Sequence, residues 1–152
     1  TLIMVGGNDW SSAERWIEQS DTLKFLKDPA NNLAFEAHVY FDKDASGTYK
    51  YSYEEEECYP EKGIDRVKPF VEWIKQNKFH GFIGEYGIPD NDPRWNETLD
   101  LFLGYLQENG INGTYWAAGP WWDTYFMAIT PKDGKDRPQM PIIEKYTSTL
   151  KK

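Results

Sequence analysis

Short apolar runs alternate along this chain with longer stretches of helical period. Leu2-Ile3-Met4-Val5 is a wholly apolar run that stops at Gly6-Gly7. Leu33 to His38, Gly81 to Glu85 and Gly113 to Trp116 are three more candidate strands. Runs this continuously apolar suit a parallel sheet buried on both faces. Between them lie predicted helices. The first is short, from Ser12 to Gln19. The second runs from Asp65 and carries Val67, Phe70, Val71 and Ile74 on one face, with Pro69 near its first turn, where a missing N–H does least harm. The third opens at Asp92-Pro93, an N-cap followed by a first-turn proline. It continues through Trp95, Leu99, Phe102, Leu103 and Leu106 and stops at Asn109-Gly110. A last helix is predicted over Pro141 to Leu150. The pattern is therefore α/β: four βα units with right-handed crossovers in a single domain over residues 1–152. Either a small doubly wound sheet or half of an eight-fold barrel fits it.

Composition narrows the chemistry. The net charge of −8 repels phosphate backbones, so nucleic acid is not expected as a partner. No run approaches the roughly 18 apolar residues of a membrane span, and no membrane partner is expected. A single cysteine, Cys58, allows no internal disulfide or multi-cysteine metal site, and with two histidines no metal is expected. Thr1-Leu2-Ile3-Met4-Val5 reads as the middle of a longer chain rather than as a signal peptide. The run Glu54-Glu55-Glu56-Glu57 reads as a solvated loop. The unusual feature is the aromatic share, 16%, with seven tryptophans and ten tyrosines. Several of these rings fall in Gly- and Pro-rich segments, where they suit stacking on sugar faces better than core packing.

In a parallel α/β protein the site lies at the C-terminal ends of the strands. Those ends read Gly6-Gly7-Asn8-Asp9-Trp10, then His38-Val39-Tyr40-Phe41-Asp42, then Glu85-Tyr86-Gly87, then Trp116 through Trp121 and Trp122. One rim thus collects a carboxylate, an imidazole, phenols and indoles, a set that suits carbohydrate chemistry. No P-loop, GxGxxG or GxSxG element is present. Glu85 reads as a functional carboxylate or as a salt-bridged strand end. His38 and Tyr40, two apart on one strand face, are placed to orient it. His38 also reads as a core histidine, and Trp10 and Trp116 read as either core or rim. Trp121 and Trp122 follow Gly-Pro, so at least one should be exposed.

Phe35 to Asp42 with Ser46-Gly47-Thr48-Tyr49 resembles the sixth strand and loop of family-five glycoside hydrolases, endoglucanases built as eight-fold βα barrels. Phe82-Ile83-Gly84-Glu85-Tyr86-Gly87 resembles their seventh strand, and Thr114 to Trp122 their eighth. Asp136-Arg137-Pro138-Gln139-Met140 resembles the segment before their last helix. The resemblance implies half of a (β/α)8 TIM barrel, strands five to eight. It implies Glu85 as nucleophile, His38 and Tyr40 as its catalytic partners, and Trp10, Trp116, Trp121, Trp122 and Asp42 as substrate-binding residues. It also implies no cofactor, a secreted protein, and a β-1,4-glucan substrate, with mannan as the variant within the family.

The family's retaining chemistry needs two carboxylates roughly 5–5.5 Å apart. Its acid/base belongs to an Asn-Glu pair ending the fourth strand. The Asn-Glu pair here, Asn96-Glu97, falls in a predicted helix, and Glu36 lies too far from the rim to be more than a weak substitute. This chain is therefore expected to hold half of a catalytic machine and to be inactive alone. Its expected partners are β-glucan and either a complementary N-terminal half or a second copy. The alternatives are a non-catalytic carbohydrate-binding half-barrel, or a designed or proteolytic half-barrel that assembles with itself.

Overall fold

A computed structural model describes residues 1–147. Four strands form one wholly parallel sheet: β1 (Ile3–Gly6), β2 (Leu33–His38), β3 (His80–Tyr86) and β4 (Asn112–Tyr115). Each strand is added beside the last, in the order β1-β2-β3-β4. This order decides between the two architectures. A doubly wound sheet reverses at a switch point, whereas an arc of a barrel adds strands in one direction only. The sheet is such an arc, four βα units of a (β/α)8 barrel.

Among the described residues five α-helices accompany it: α1 (Asn8–Ser11), α2 (Trp16–Ser20), α3 (Lys62–Asn77), α4 (Arg94–Glu108) and α5 (Met140–Tyr146). Their apolar faces pack on the outer side of the sheet. Phe35 of β2 meets Trp73 of α3 with ring centroids 5.0 Å apart, and Trp16 meets Phe70 at 4.7 Å. Towards the site, Phe41 packs on Phe102 and Tyr49 on Trp95. Trp16, Trp73 and Trp95 are fully buried, so three of the seven tryptophans are core and the other four lie in the segments after β1 and β4.

Sequence and structure part at two places. The first helix is shorter than Ser12–Gln19. Ser12 pairs with His38 in an isolated bridge, and Ala13 donates its N–H to the His38 carbonyl at 3.0 Å, so this stretch is tied to β2 instead of coiling. Pro69 lies inside α3 rather than near its start. The helix begins early because Lys62 is buried, donating to the carbonyls of Glu56 and Glu57, and Gly63 lets Phe41 and Phe102 approach. For the last helix, residues 148–150 lie outside those described. The third helix starts as expected, with the Asp92 carboxylate accepting the Arg94 N–H at 2.9 Å. It ends at Glu108, capped by Asn109, and Gly110 with its φ of +66° turns the chain away.

One irregularity sets the site. On β2, Phe35 and Ala37 are fully buried on the helix side, while Glu36 and His38 face the barrel interior and are half-buried. On β3, a Cβ at Gly81 would meet Ile74 and Phe70 of α3, so positions 81 and 83 also face the helices. Alternation would send Glu85 the same way. The pairing instead steps from Ala37↔Ile83 to His38↔Glu85, leaving Gly84 as an extra residue, and Glu85 turns inward beside His38.

Candidate active site

Glu85 thus reaches the interior at the C-terminal end of β3. The Tyr40 hydroxyl donates to its Oε2 at 2.9 Å. The same oxygen lies 3.7 Å from Nδ1 of His38, whose Nε2 lies 2.6 Å from Oε1 of Glu36. Burial, then the charge and hydrogen bond of Glu85, push the Tyr40 phenol far above its ordinary value, so it remains a donor. His38 is pulled two ways. Burial lowers its pKa, but the Glu36 contact and the negative charges of Glu36 and Glu85 outweigh it, and the imidazole sits above its ordinary value.

The loop after β2 is built to hold Tyr40. Its ring rests on Gly47, whose φ is +74° and where a Cβ would stand 3.0 Å from ring carbons. Its carbonyl accepts from the guanidinium of Arg66, a buried α3 residue that also donates to the Lys43 carbonyl at 3.0 Å. Tyr49 ties this loop to the next: it accepts the Phe41 N–H and donates to the Gly87 carbonyl at 2.6 Å. Glu85, His38, Tyr40, Ser12 and Trp10 line one cleft of about 460 Å³.

The aromatic candidates surround this point unequally. Trp10 is 86% exposed, presented by α1, where Asp9, Trp10 and Ser11 all have positive φ. Trp116 follows β4 and is half-buried, edge-on to Trp122 at 5.1 Å, and Trp122 lies 5.0 Å from Tyr125. Trp121 projects outward, 89% exposed. Arg137 braces this loop, pairing with Asp90 at 2.7 Å and donating to the Asp123 carbonyl at 2.8 Å.

Asp42 lies beneath its own loop. It is 1% exposed, and its carboxylate accepts from the backbones of Gly47, Thr48 and Tyr49 and from the Ser46 hydroxyl. Its oxygens are taken up by its own loop. Sequence reasoning missed Arg66, Tyr49 and Tyr125. For Arg66 a signal existed: a charged residue on the helix face shared with Phe70 and Trp73. Among the described residues no three His, Cys, Asp or Glu converge as a metal site, and no helix is long and apolar enough to cross a membrane.

The strand ends of this barrel arc thus gather a held carboxylate, a phenol, an imidazole and several indoles. The model of the cellulase family, glycosyl hydrolase family 5, matches residues 1–121, and the chain belongs to that family. It is 38% identical to the probable endo-beta-1,4-glucanase B of Aspergillus kawachii, over 95% of this chain and 43% of that protein. Among solved structures, the Pseudomonas stutzeri endoglucanase Cel5A in complex with cellobiose superposes with a TM-score of 0.88 and 44% identity, covering 98% of this chain and 45% of that one. XacCel5A in complex with cellopentaose gives 0.86 and 39%, covering 97% and 49%. The chain thus spans less than half the length of these relatives.

Proposed function

We propose that this chain supplies the nucleophile and much of the sugar-binding wall of a secreted, retaining endo-β-1,4-glucanase, and that the acid/base carboxylate comes from a complementary N-terminal segment. The observation that carries this is Glu85, turned into the barrel interior with Oε2 held by Tyr40 at the mouth of the cleft. Glu85 attacks the anomeric carbon as the glycosidic C–O bond breaks, and the acid/base gives its proton to the leaving oxygen. A water then displaces Glu85 from the glycosyl-enzyme, giving up its proton to the same acid/base. Tyr40 and His38 hold the carboxylate in line through both displacements. Trp116 stacks beside the reacting sugar, and Trp10, Trp121 and Trp122 line neighbouring subsites. The endoglucanase relatives, and the cello-oligosaccharides bound to the similar structures, support a β-1,4-glucan over mannan. They also support an enzyme over a non-catalytic binding module.

The test is a covalent trap. In the domain completed by the N-terminal segment, a 2-deoxy-2-fluoro-cellobioside with an activated leaving group should glycosylate Glu85, the leaving group departing as the carboxylate bonds to the anomeric carbon. Peptide mass spectrometry should find the added sugar there, and Glu85→Gln should lower turnover of soluble β-glucan by at least about 10³-fold. A label on another carboxylate, or full turnover by Glu85→Gln, would sink the reading.

A further inference from the structure

Glu36 is the interior acidic side chain that this mechanism leaves unused. It stands on β2 two residues before His38, on the face that carries the nucleophile. Its neighbours make room for it. Across β1 its register partner is Gly6, where a Cβ would sit 3.5 Å from Oε2, and on β3 a Cβ at Gly84 would sit 1.7 Å from Oε1. The carboxylate fills the space that Gly84 leaves by having no side chain. Its one ion-pair partner among the described residues is His38, at 2.6 Å. The far nitrogen of that imidazole looks at Glu85. Carboxylate, imidazole and carboxylate therefore stand in a row from the barrel floor to the rim.

Resting on the assignment of Glu85 as nucleophile, we propose that Glu36 is a positioning residue. Acting through His38, it fixes the imidazole's orientation and keeps a proton on Nδ1 facing Glu85, so that the nucleophile works beside a cation. A cation there stabilises the negative charge that returns to Glu85 when water opens the glycosyl-enzyme. The other charged groups around the cleft are Asp9, Glu14 and Arg15 after β1, Asp44 after β2, and Arg66 on α3. Arg15 is paired with Asp9, and Arg66 with Glu14 and the loop carbonyls, so neither cation is free to replace the imidazolium.

His38 and His80 are the only histidines, so a nitrogen-15 NMR titration of the chain resolves both, with exposed His80 as internal reference. Glu36→Gln keeps the shape and removes the charge. It should lower the His38 midpoint and leave His80 unmoved, with Glu36→Asp in between. In the completed domain Glu36→Gln should lower kcat on an aryl β-cellobioside roughly tenfold with KM little changed, a loss of the size that contacting groups couple. The alkaline limb of its pH profile should move to lower pH. In a double-mutant cycle it should cost almost nothing once His38 is replaced by Gln. An unmoved His38 midpoint, or strictly additive losses in the cycle, overturns the proposal while leaving Glu85 as nucleophile. Full turnover by Glu85→Gln overturns the nucleophile assignment and this proposal with it.

Discussion

Asp42→Ala separates a loop organiser from a sugar ligand. In the native loop the carboxylate accepts the N–H groups of Gly47 at 3.1 Å, Thr48 at 2.9 Å and Tyr49 at 3.2 Å, and the Ser46 hydroxyl at 3.0 Å. Alanine leaves three backbone donors without an acceptor. The Gly47 and Tyr49 bonds are buried, while Thr48 and Ser46 are near enough to solvent to recover water. At about 1–3 kcal/mol for each buried donor left unpaired, the two cost about 2–6 kcal/mol. Relief from desolvating the carboxylate brings the net to about 3 kcal/mol. For a chain of this size that lowers Tm by roughly 6–12 °C. Asp42→Asn keeps one accepting oxygen and should lose about half as much. Thermal and urea unfolding followed by circular dichroism reads the loss, and hydrogen exchange should quicken first at residues 47–49. A Tm unmoved in Asp42→Ala, together with weakened sugar binding, would refute the loop assignment and return Asp42 to the rim.

Two further outcomes follow from the same geometry. Trp121→Ala should leave stability within about 0.5 kcal/mol, because the ring is 89% exposed. In the completed domain it should weaken cello-oligosaccharide binding by about 1 kcal/mol in calorimetry, from lost apolar contact. His38 carries a sign that pH can read. Its folded pKa is raised above the usual 6.5, so its proton stabilises the fold. That contribution is complete below the usual value and is lost as pH rises through the folded one. Urea midpoints should therefore fall with pH across that window, and His38→Asn should flatten the slope. An unchanged slope in the variant would show that another group titrates there.

Strands were legible because short runs bounded by turn residues and helical stretches survive in any tertiary context: β2 matches its predicted bounds, and the other three shift by a residue or so. The start of α2 was not legible, since what stops Ser12 and Ala13 from coiling is a bridge to His38, far off in sequence. At the site, Glu85, His38 and Tyr40 announced themselves by residue type at strand ends. The burial of Asp42 was not legible, because a carboxylate after a strand looks the same whether it faces sugar or its own loop. What distinguishes the two cases is the Ser46-Gly47 turn that follows, with its positive φ at Gly47. Glu36 was seen as a poor substitute acid, and its contact with His38 depends on a gap at Gly84 that no local pattern reveals.

The extra residue at Gly84 changes what kind of mutation can affect this protein's chemistry. A strand has parity: its side chains alternate between two faces, and substitution never alters which face a position takes. Glu85 reaches the barrel interior because β3 changes parity one residue before it. Its orientation is thus a property of chain length, beyond the reach of any exchange of side chain. The one position that changes the parity must also carry no side chain, since even a methyl group there would occupy the place of the Glu36 carboxylate. The inward turn of Glu85 is therefore tied to position 84 twice over, once through chain length and once, while the Glu36 carboxylate keeps its place, through the absence of a side chain.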